Sequence, residues 1–261
     1  MRVRKVTEKR GLPWAAAVSL VKPAVLATTR PDWQGGERIP ATGGCLVVLN
    51  HVSHADPFTA AHLVYDHGRL PRYLAKAGLF RNRFLGRWLR ALGQIPVERR
   101  TANAAGAYAA AVDAVRRGAC VVVYPEGTIT RDPAGWPMVG KSGAARIALA
   151  TGCPVIPVGQ WGAQELLAPY TTRLRPIPRK PIHMRVGEPV ALDDLRAREL
   201  GTETIREATE RIMTAITDLV AQVRGEEPPA VRYDPRREGT PEIGNPHARD
   251  ERRPQQRRDQ G

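Results

Sequence analysis

Apolar residues along this chain follow two rhythms. Unbroken runs at Cys45-Leu46-Val47-Val48-Leu49 and Cys120-Val121-Val122-Val123-Tyr124 read as short strands buried on both faces. Val155 to Gly159 reads as another, with Pro157 inserted, and Gln94 to Glu98 as a shorter one. Ile182 to Val186 alternates apolar with polar and stops at Gly187-Glu188-Pro189. Between these runs the spacing becomes helical. Pro57 fits the first turn of a helix ending near Asp66. The Ala-rich residues 102–117 are closed by Gly118, and Ser142 to Thr151 by Gly152. Over 203–223, Ile205, Ala208, Ile212, Ile216, Leu219, Val220 and Val223 mark the face of a helix that packs against the sheet. Strands alternating with helices predict an α/β fold with a largely parallel central sheet flanked by helices.

The remaining stretches set the boundaries. Residues 1–11 form a basic arm, expected to be solvated. Residues 11–28 are apolar with Trp14 near their start, which suits either an interfacial helix or a helix packed on the domain. Pro31, Gly35, Gly36, Pro40, Gly43 and Gly44 make 29–44 mostly turn and loop. Over 68–93, Phe80, Phe84, Trp88 and Leu92 recur every four residues among seven basic side chains, the pattern of a basic amphipathic helix. Residues 225–261 hold almost no large apolar side chains, and eight Arg there balance eight acidic residues. That composition predicts a disordered tail behind a domain at 12–224.

Charge sharpens this outline. The formal net charge is +14 and the pI about 10.5. Because the tail is near neutral, the excess belongs to residues 1–224 and implies an anionic partner: nucleic acid, anionic lipid or a phosphorylated substrate. Cys45, Cys120 and Cys153 stand in apolar or Pro-flanked runs without metal spacing and are expected to be buried thiols. Trp14 to Thr28 comes nearest to a spanning helix, but Lys22-Pro23 interrupts it well short of the ~20 apolar residues needed. No secretory cleavage pattern is evident, so a cytoplasmic protein that can lie on a membrane is expected.

Candidate chemistry gathers behind the strands. Asn50-His51-Val52-Ser53-His54-Ala55-Asp56-Pro57-Phe58 follows the first apolar run directly. Parallel sheets collect ligands at the carboxyl ends of their strands. A helical start lets Asp56 reach back to orient the His51 ring, and an imidazole so held is a general base. Tyr124-Pro125-Glu126-Gly127-Thr128 follows the clearest strand, and Gly93-Gln94-Ile95-Pro96-Val97-Glu98-Arg99 ends in a cation. Arg99 can hold a phosphate by paired hydrogen bonds. Gly127 and Thr128 offer backbone and hydroxyl donors, and Glu126 can orient substrate hydroxyls. No Gly-x-Ser-x-Gly elbow is present, so a substrate hydroxyl, rather than a protein nucleophile, fits as the attacking group.

Together with Cys153-Pro154-Val155-Ile156-Pro157-Val158, these stretches resemble the four ordered sequence blocks of the glycerolipid acyltransferases, whose members include 1-acylglycerol-3-phosphate acyltransferases. Asn50, His51 and Asp56 match the His-x4-Asp block, Glu98-Arg99 the second, Tyr124 to Thr130 the third and Pro154 to Val158 the fourth. The resemblance covers roughly residues 40–220. It implies a glycerol-3-phosphate acyltransferase-like fold and acyl transfer from acyl-CoA or acyl-carrier protein to a lysophospholipid, in phospholipid biosynthesis. The acceptor this implies first is 1-acyl-sn-glycerol 3-phosphate, giving phosphatidic acid, with another lysolipid or an amine as the alternative. It further implies His51 and Asp56 as the catalytic pair, and Arg99, Glu126, Gly127 and Thr128 around the acceptor. It implies no metal or redox cofactor, and peripheral attachment to the anionic cytoplasmic face of the cell membrane, without nucleic acid. One departure stands out. The third block's Arg is Ile129 here, and Arg131 is the nearest replacement for the missing phosphate ligand.

Three rival readings compete with this one. Gly135-Trp136-Pro137-Met138-Val139-Gly140-Lys141-Ser142 has the spacing of a phosphate-binding P-loop, but it starts about ten residues after its strand and contains a proline. His51, His54 and Asp56 form a partial metal set, and His62 and His67 can equally be further ligands or surface residues. A non-enzymatic basic binding module accounts for the charge but not for His51, Asp56 and Glu126 at strand ends.

Overall fold

The computed structural model describes residues 3–97 and 104–241. In chain order the elements are helix α1 (Leu12–Thr28), strand β1 (Thr29–Gln34), strand β2 (Cys45–Leu49), helix α2 (Asp56–Asp66), strand β3 (Pro71–Lys76), helix α3 (Arg83–Ala91), strand β4 (Ile95–Val97) and helix α4 (Ala104–Arg116). There follow strand β5 (Cys120–Val123), helix α5 (Gly143–Thr151), strand β6 (Val155–Trp161), a single turn α6 (Ala163–Leu166), strand β7 (Lys180–Val186), a single turn α7 (Asp193–Arg196) and helix α8 (Thr202–Arg224).

Seven strands form one sheet in the order β1-β7-β6-β2-β5-β3-β4. Every neighbouring pair is parallel except β6 with β7. The expected α/β architecture is therefore present. β2 lies at its centre and is buried throughout, which is why its sequence shows no polar alternation. Its Leu46 and Val48 pack with α4, α5 and α8, while Cys45, Val47 and Leu49 pack with α2 on the opposite face. Gly118 and Gly152 close α4 and α5 with φ of 87° and 66°, a backbone region costly for any side chain. The three thiols are free and buried, as expected.

Four expectations need correction. Residues 29–34 are not loop but the edge strand β1, where Pro31 is tolerated because an edge strand has an unused hydrogen-bonding side. The helix expected across 68–93 is split. Residues 71–76 are strand β3, Ala77–Phe80 is one 3₁₀ turn, and only Arg83–Ala91 is α-helix. Asn82 caps that helix, its side-chain oxygen accepting the N–H groups of Phe84 and Leu85. The basic arm keeps Lys5, Lys9 and Arg10 exposed, as expected, but it is also anchored to the domain: Glu8 pairs with the buried Arg69 at 3.0 Å, and Arg4 N–H bonds the Asp66 carbonyl. Finally, the chain beyond 224 runs along the domain as far as 241. There Arg232 pairs with Glu210 on α8, and the Tyr233 carbonyl accepts the Val139 N–H. Low apolar content did not prevent this, because backbone and guanidinium hydrogen bonds supply the contacts. Residues 242–261 lie outside the described part.

Candidate active site

The carboxyl end of β2 delivers Asn50 and His51 to the same edge of the sheet where β5 delivers Tyr124. Asn50 is locked sideways to β6. Its Nδ2 donates to the Gln160 carbonyl at 3.0 Å, its Oδ1 accepts Gln160 N–H at 2.9 Å, and its carbonyl accepts Gln160 Nε2 at 2.7 Å. The backbone of His51 is held from β5's side: its N–H donates to Glu126 Oε1 at 2.8 Å, and its carbonyl accepts Thr130 N–H at 2.8 Å.

Asp56, at the first turn of α2, is fully buried. Its Oδ2 accepts the Val52 and Ser53 N–H groups at 2.6 and 2.8 Å and meets His51 Nδ1 at 2.8 Å. An oxygen fixed by two backbone donors can only accept from the ring, so Nδ1 carries a proton, and in the neutral ring that tautomer leaves the lone pair on Nε2. Tyr124 lies over the His51 ring with centroids 4.3 Å apart, and Tyr73 lies parallel to Tyr124 at 6.3 Å. Burial pushes both tyrosine hydroxyls above their ordinary range. His51 is thus held at one edge by Asp56 and on one face by Tyr124. Sequence reasoning placed Tyr124 in a motif without giving it a role and missed Tyr73 and Gln160, since an aromatic or a glutamine in an apolar strand looks like core.

His51 opens onto a large cleft of about 1290 Å³. Its walls are mostly apolar: Trp14, Val18 and Val21 from α1, Trp88 and Leu89 from α3, Leu74 from β3 and Ile147 from α5. Among the described residues, Lys22, Lys76, Lys141 and Arg236 line it and no Asp or Glu does. Gly127 (φ 73°) forms the floor beside Lys141, whose Nζ comes within 3.5 Å of where a Cβ on Gly127 would stand.

The expected acceptor residues divide. Thr128 and Gly127 line the cleft, but the Gly127 N–H is used by the Tyr124 carbonyl at 2.9 Å. Glu126 does not face substrate. It is 1% exposed, and its second oxygen accepts the Met138 N–H at 3.0 Å. Burial pushes its pKa up to about 8, against the pull of those two backbone donors. Arg131 is also turned inward, 7% exposed, with its guanidinium 4.7 Å above the Tyr170 ring. It does not replace the missing Arg at 129, and Ile129 itself is buried. Arg99 lies outside the described residues. His54 is on the cleft wall against Tyr170, and burial followed by the nearby His51 lowers its pKa.

A model of the acyltransferase family matches residues 30–161, just over half the chain. The chain belongs to the acyltransferase family. It is 30% identical over 140 residues to a chloroplastic 1-acyl-sn-glycerol-3-phosphate acyltransferase of Brassica napus, covering 53% of this chain and 39% of the relative. It is 34% identical over 125 residues to the 1-acyl-sn-glycerol-3-phosphate acyltransferase of Borreliella burgdorferi, covering 48% of each. The chain thus spans half or less of either relative. The crystal structure of the 1-acyl-sn-glycerophosphate acyltransferase PlsC from Thermotoga maritima shares its fold, with a TM-score of 0.61 at 23% identity over 82% of this chain and 81% of that one.

In this member of the acyltransferase family the P-loop-like segment 135–142 is no nucleotide cradle. Most of its N–H groups are already engaged: Gly135 and Trp136 with Asp132, Met138 with Glu126, Val139 with Tyr233 and Lys141 with Pro125. His62 and His67 are not surface residues but buried, His62 beside Asp66 at 3.2 Å and His67 with Nδ1 on the Leu63 carbonyl at 2.8 Å. Among the described residues no group of three or more His, Cys, Asp and Glu is placed to hold a metal.

Proposed function

We propose that this acyltransferase moves a fatty acyl group from a thioester, acyl-CoA or acyl-carrier protein, to the free hydroxyl of 1-acyl-sn-glycerol 3-phosphate, giving phosphatidic acid. The observation that carries the reading is the His51–Asp56 pair, bonded at 2.8 Å, at the wall of a long apolar cleft. The cleft suits acyl chains, and its Lys and Arg side chains suit an acceptor and a donor that are both anionic. The names of the relatives, 1-acyl-sn-glycerol-3-phosphate acyltransferases, support the same acceptor.

The steps follow from the ring's orientation. His51 Nε2 takes the acceptor hydroxyl's proton as that oxygen attacks the thioester carbonyl carbon. Asp56 stabilises the imidazolium through Nδ1. The tetrahedral intermediate collapses with cleavage of the C–S bond, and the imidazolium returns its proton to the departing thiolate. Ester and thiol are the products, and no protein acyl intermediate forms. Lys141 at the cleft floor and Arg99 bind the acceptor's phosphate.

Labelled acyl-CoA offered with a panel of lysolipids tests this reading. Label is expected in phosphatidic acid; a folded, monodisperse sample that acylates no glycerolipid overturns it.

The acceptor is a lipid, so the cleft must meet a bilayer. No helix among the described residues is long and apolar enough to cross a membrane. The protein instead exposes Leu12 (88%), Phe84 (85%), Leu20 and Leu79, with Arg83 and Arg87 beside Phe84 on α3. Apolar side chains flanked by cations suit shallow insertion into an anionic surface. Phe84→Asp is expected to weaken binding to phosphatidylglycerol-containing vesicles about tenfold, since full burial of a Phe contributes ~1.5–3 kcal/mol. Vesicle sedimentation measures it, and unchanged partitioning excludes α3 from the contact.

A further inference from the structure

The family model ends at residue 161, yet part of the cleft wall comes from much later in the chain. Pro235, Arg236, Gly239, Thr240 and Pro241 line the same cleft as Gly127, Thr128 and Lys141. This placement is well held. Arg232 pairs with Glu210 on α8, and the Tyr233 carbonyl takes the N–H of Val139, two residues before Lys141. Asp234 then folds the chain into a turn. Its Oδ1 accepts Arg236 N–H at 3.0 Å, and its carbonyl accepts the N–H groups of Arg237 and Glu238. Tyr233 and Thr240 close the turn by a hydroxyl–hydroxyl bond at 2.6 Å.

The turn sorts its charges. Pro235 is buried and Arg236 is exposed on the cleft wall, whereas Arg237 and Glu238 are off that wall, Arg237 paired with Asp234. A guanidinium delivered next to the loop that carries Lys141, in a cleft that no carboxylate lines among the described residues, is an anion-binding arrangement. It also answers a shortage. The third block lacks its Arg at Ile129, and Arg131 is turned away under Tyr170.

We infer that the segment 232–241 completes the acceptor end of the cleft, and that Arg236, with Lys141, binds the phosphomonoester of the acceptor. This inference rests on the proposed phosphate-bearing acceptor and deepens it: recognition of the headgroup comes partly from outside the matched family region. Arg236 is a specificity-determining residue here and takes no part in proton transfer.

The test compares full-length protein with Arg236→Ala, Arg236→Glu and Arg236→Lys. Binding of a soluble short-chain probe, 1-hexanoyl-glycerol 3-phosphate, is measured by calorimetry without any acyl donor. Kd is expected to rise about tenfold in Arg236→Ala and further in Arg236→Glu, with Arg236→Lys close to the parent. In the acylation assay the same variants raise KM for the anionic acceptor while kcat and KM for acyl-CoA hold. Equal Kd for all four proteins overturns the inference, whether or not the parent turns over. A parent that binds the probe through Arg236 but acylates nothing leaves the inference standing and sinks the proposed reaction instead.

Discussion

His51→Ala is expected to lower kcat by about 10²–10⁴-fold, the range a positioned general base contributes. Stability should change little. The imidazole touches Asp56 and Tyr124, but the Asp56 oxygen keeps its two backbone donors, Val52 and Ser53. Affinity for acyl-CoA should hold, because the ring occupies a small part of the cleft wall. Steady-state acylation by a variant with the parent's melting temperature decides the matter. Activity within threefold of the parent means that another group takes the proton.

The second large effect is structural. Glu126→Ala removes the acceptor for two buried N–H groups, those of His51 and Met138. Each orphaned donor costs about 1–3 kcal/mol, so ~2–6 kcal/mol is expected in denaturant unfolding, and activity should fall as the His51 backbone loses its brace. Glu126 also carries a pH signature. With its native pKa near 8 and an unfolded value near 4.3, the native state holds a proton that the unfolded state has lost between those limits. Its contribution to stability therefore falls as pH rises from about 5 to 8, with a slope of at most about 1.4 kcal/mol per pH unit, and is flat outside that window. Glu126→Gln should be less stable than the parent at pH 5 and should lack this slope. Parallel stability curves for parent and Glu126→Gln across pH 5–8 would show that Glu126 is ionised throughout.

The central elements were legible because their residues are buried on both faces or on one helical stripe. Cys45–Leu49, Cys120–Val123 and the α8 face Ile205 to Val220 announce themselves by apolarity alone. β1 was not legible, since an edge strand reading Thr-Arg-Pro-Asp-Trp-Gln buries little and is held to β7 by its backbone ladder and by exposed polar pairs, Asp32 with His183 and Gln34 with Arg185. The four-residue recurrence of Phe80, Phe84 and Trp88 misled because Phe80 belongs to a 3₁₀ turn and is buried, while Phe84 on α3 is bare. At the site, spacing located His51 and Asp56 because the contact is local. It misjudged Glu126 and Arg131, since the sign of a charge does not say which way it faces. Nor did the tail's composition reveal Arg236, whose placement depends on a backbone bond to Val139.

The braces on the His51 pair all come from the sheet's edge and the turn behind it: Gln160, Glu126, Thr130 and the Val52–Ser53 amides. None comes from α1, α3 or the segment 232–241, which wall the cleft. Reactivity and selectivity are therefore built from separate parts of the chain. Natural variation or engineering of those walls can retune which chain length or headgroup is accepted without disturbing the proton acceptor, and the same core can diversify its substrates by changing parts that the chemistry never touches.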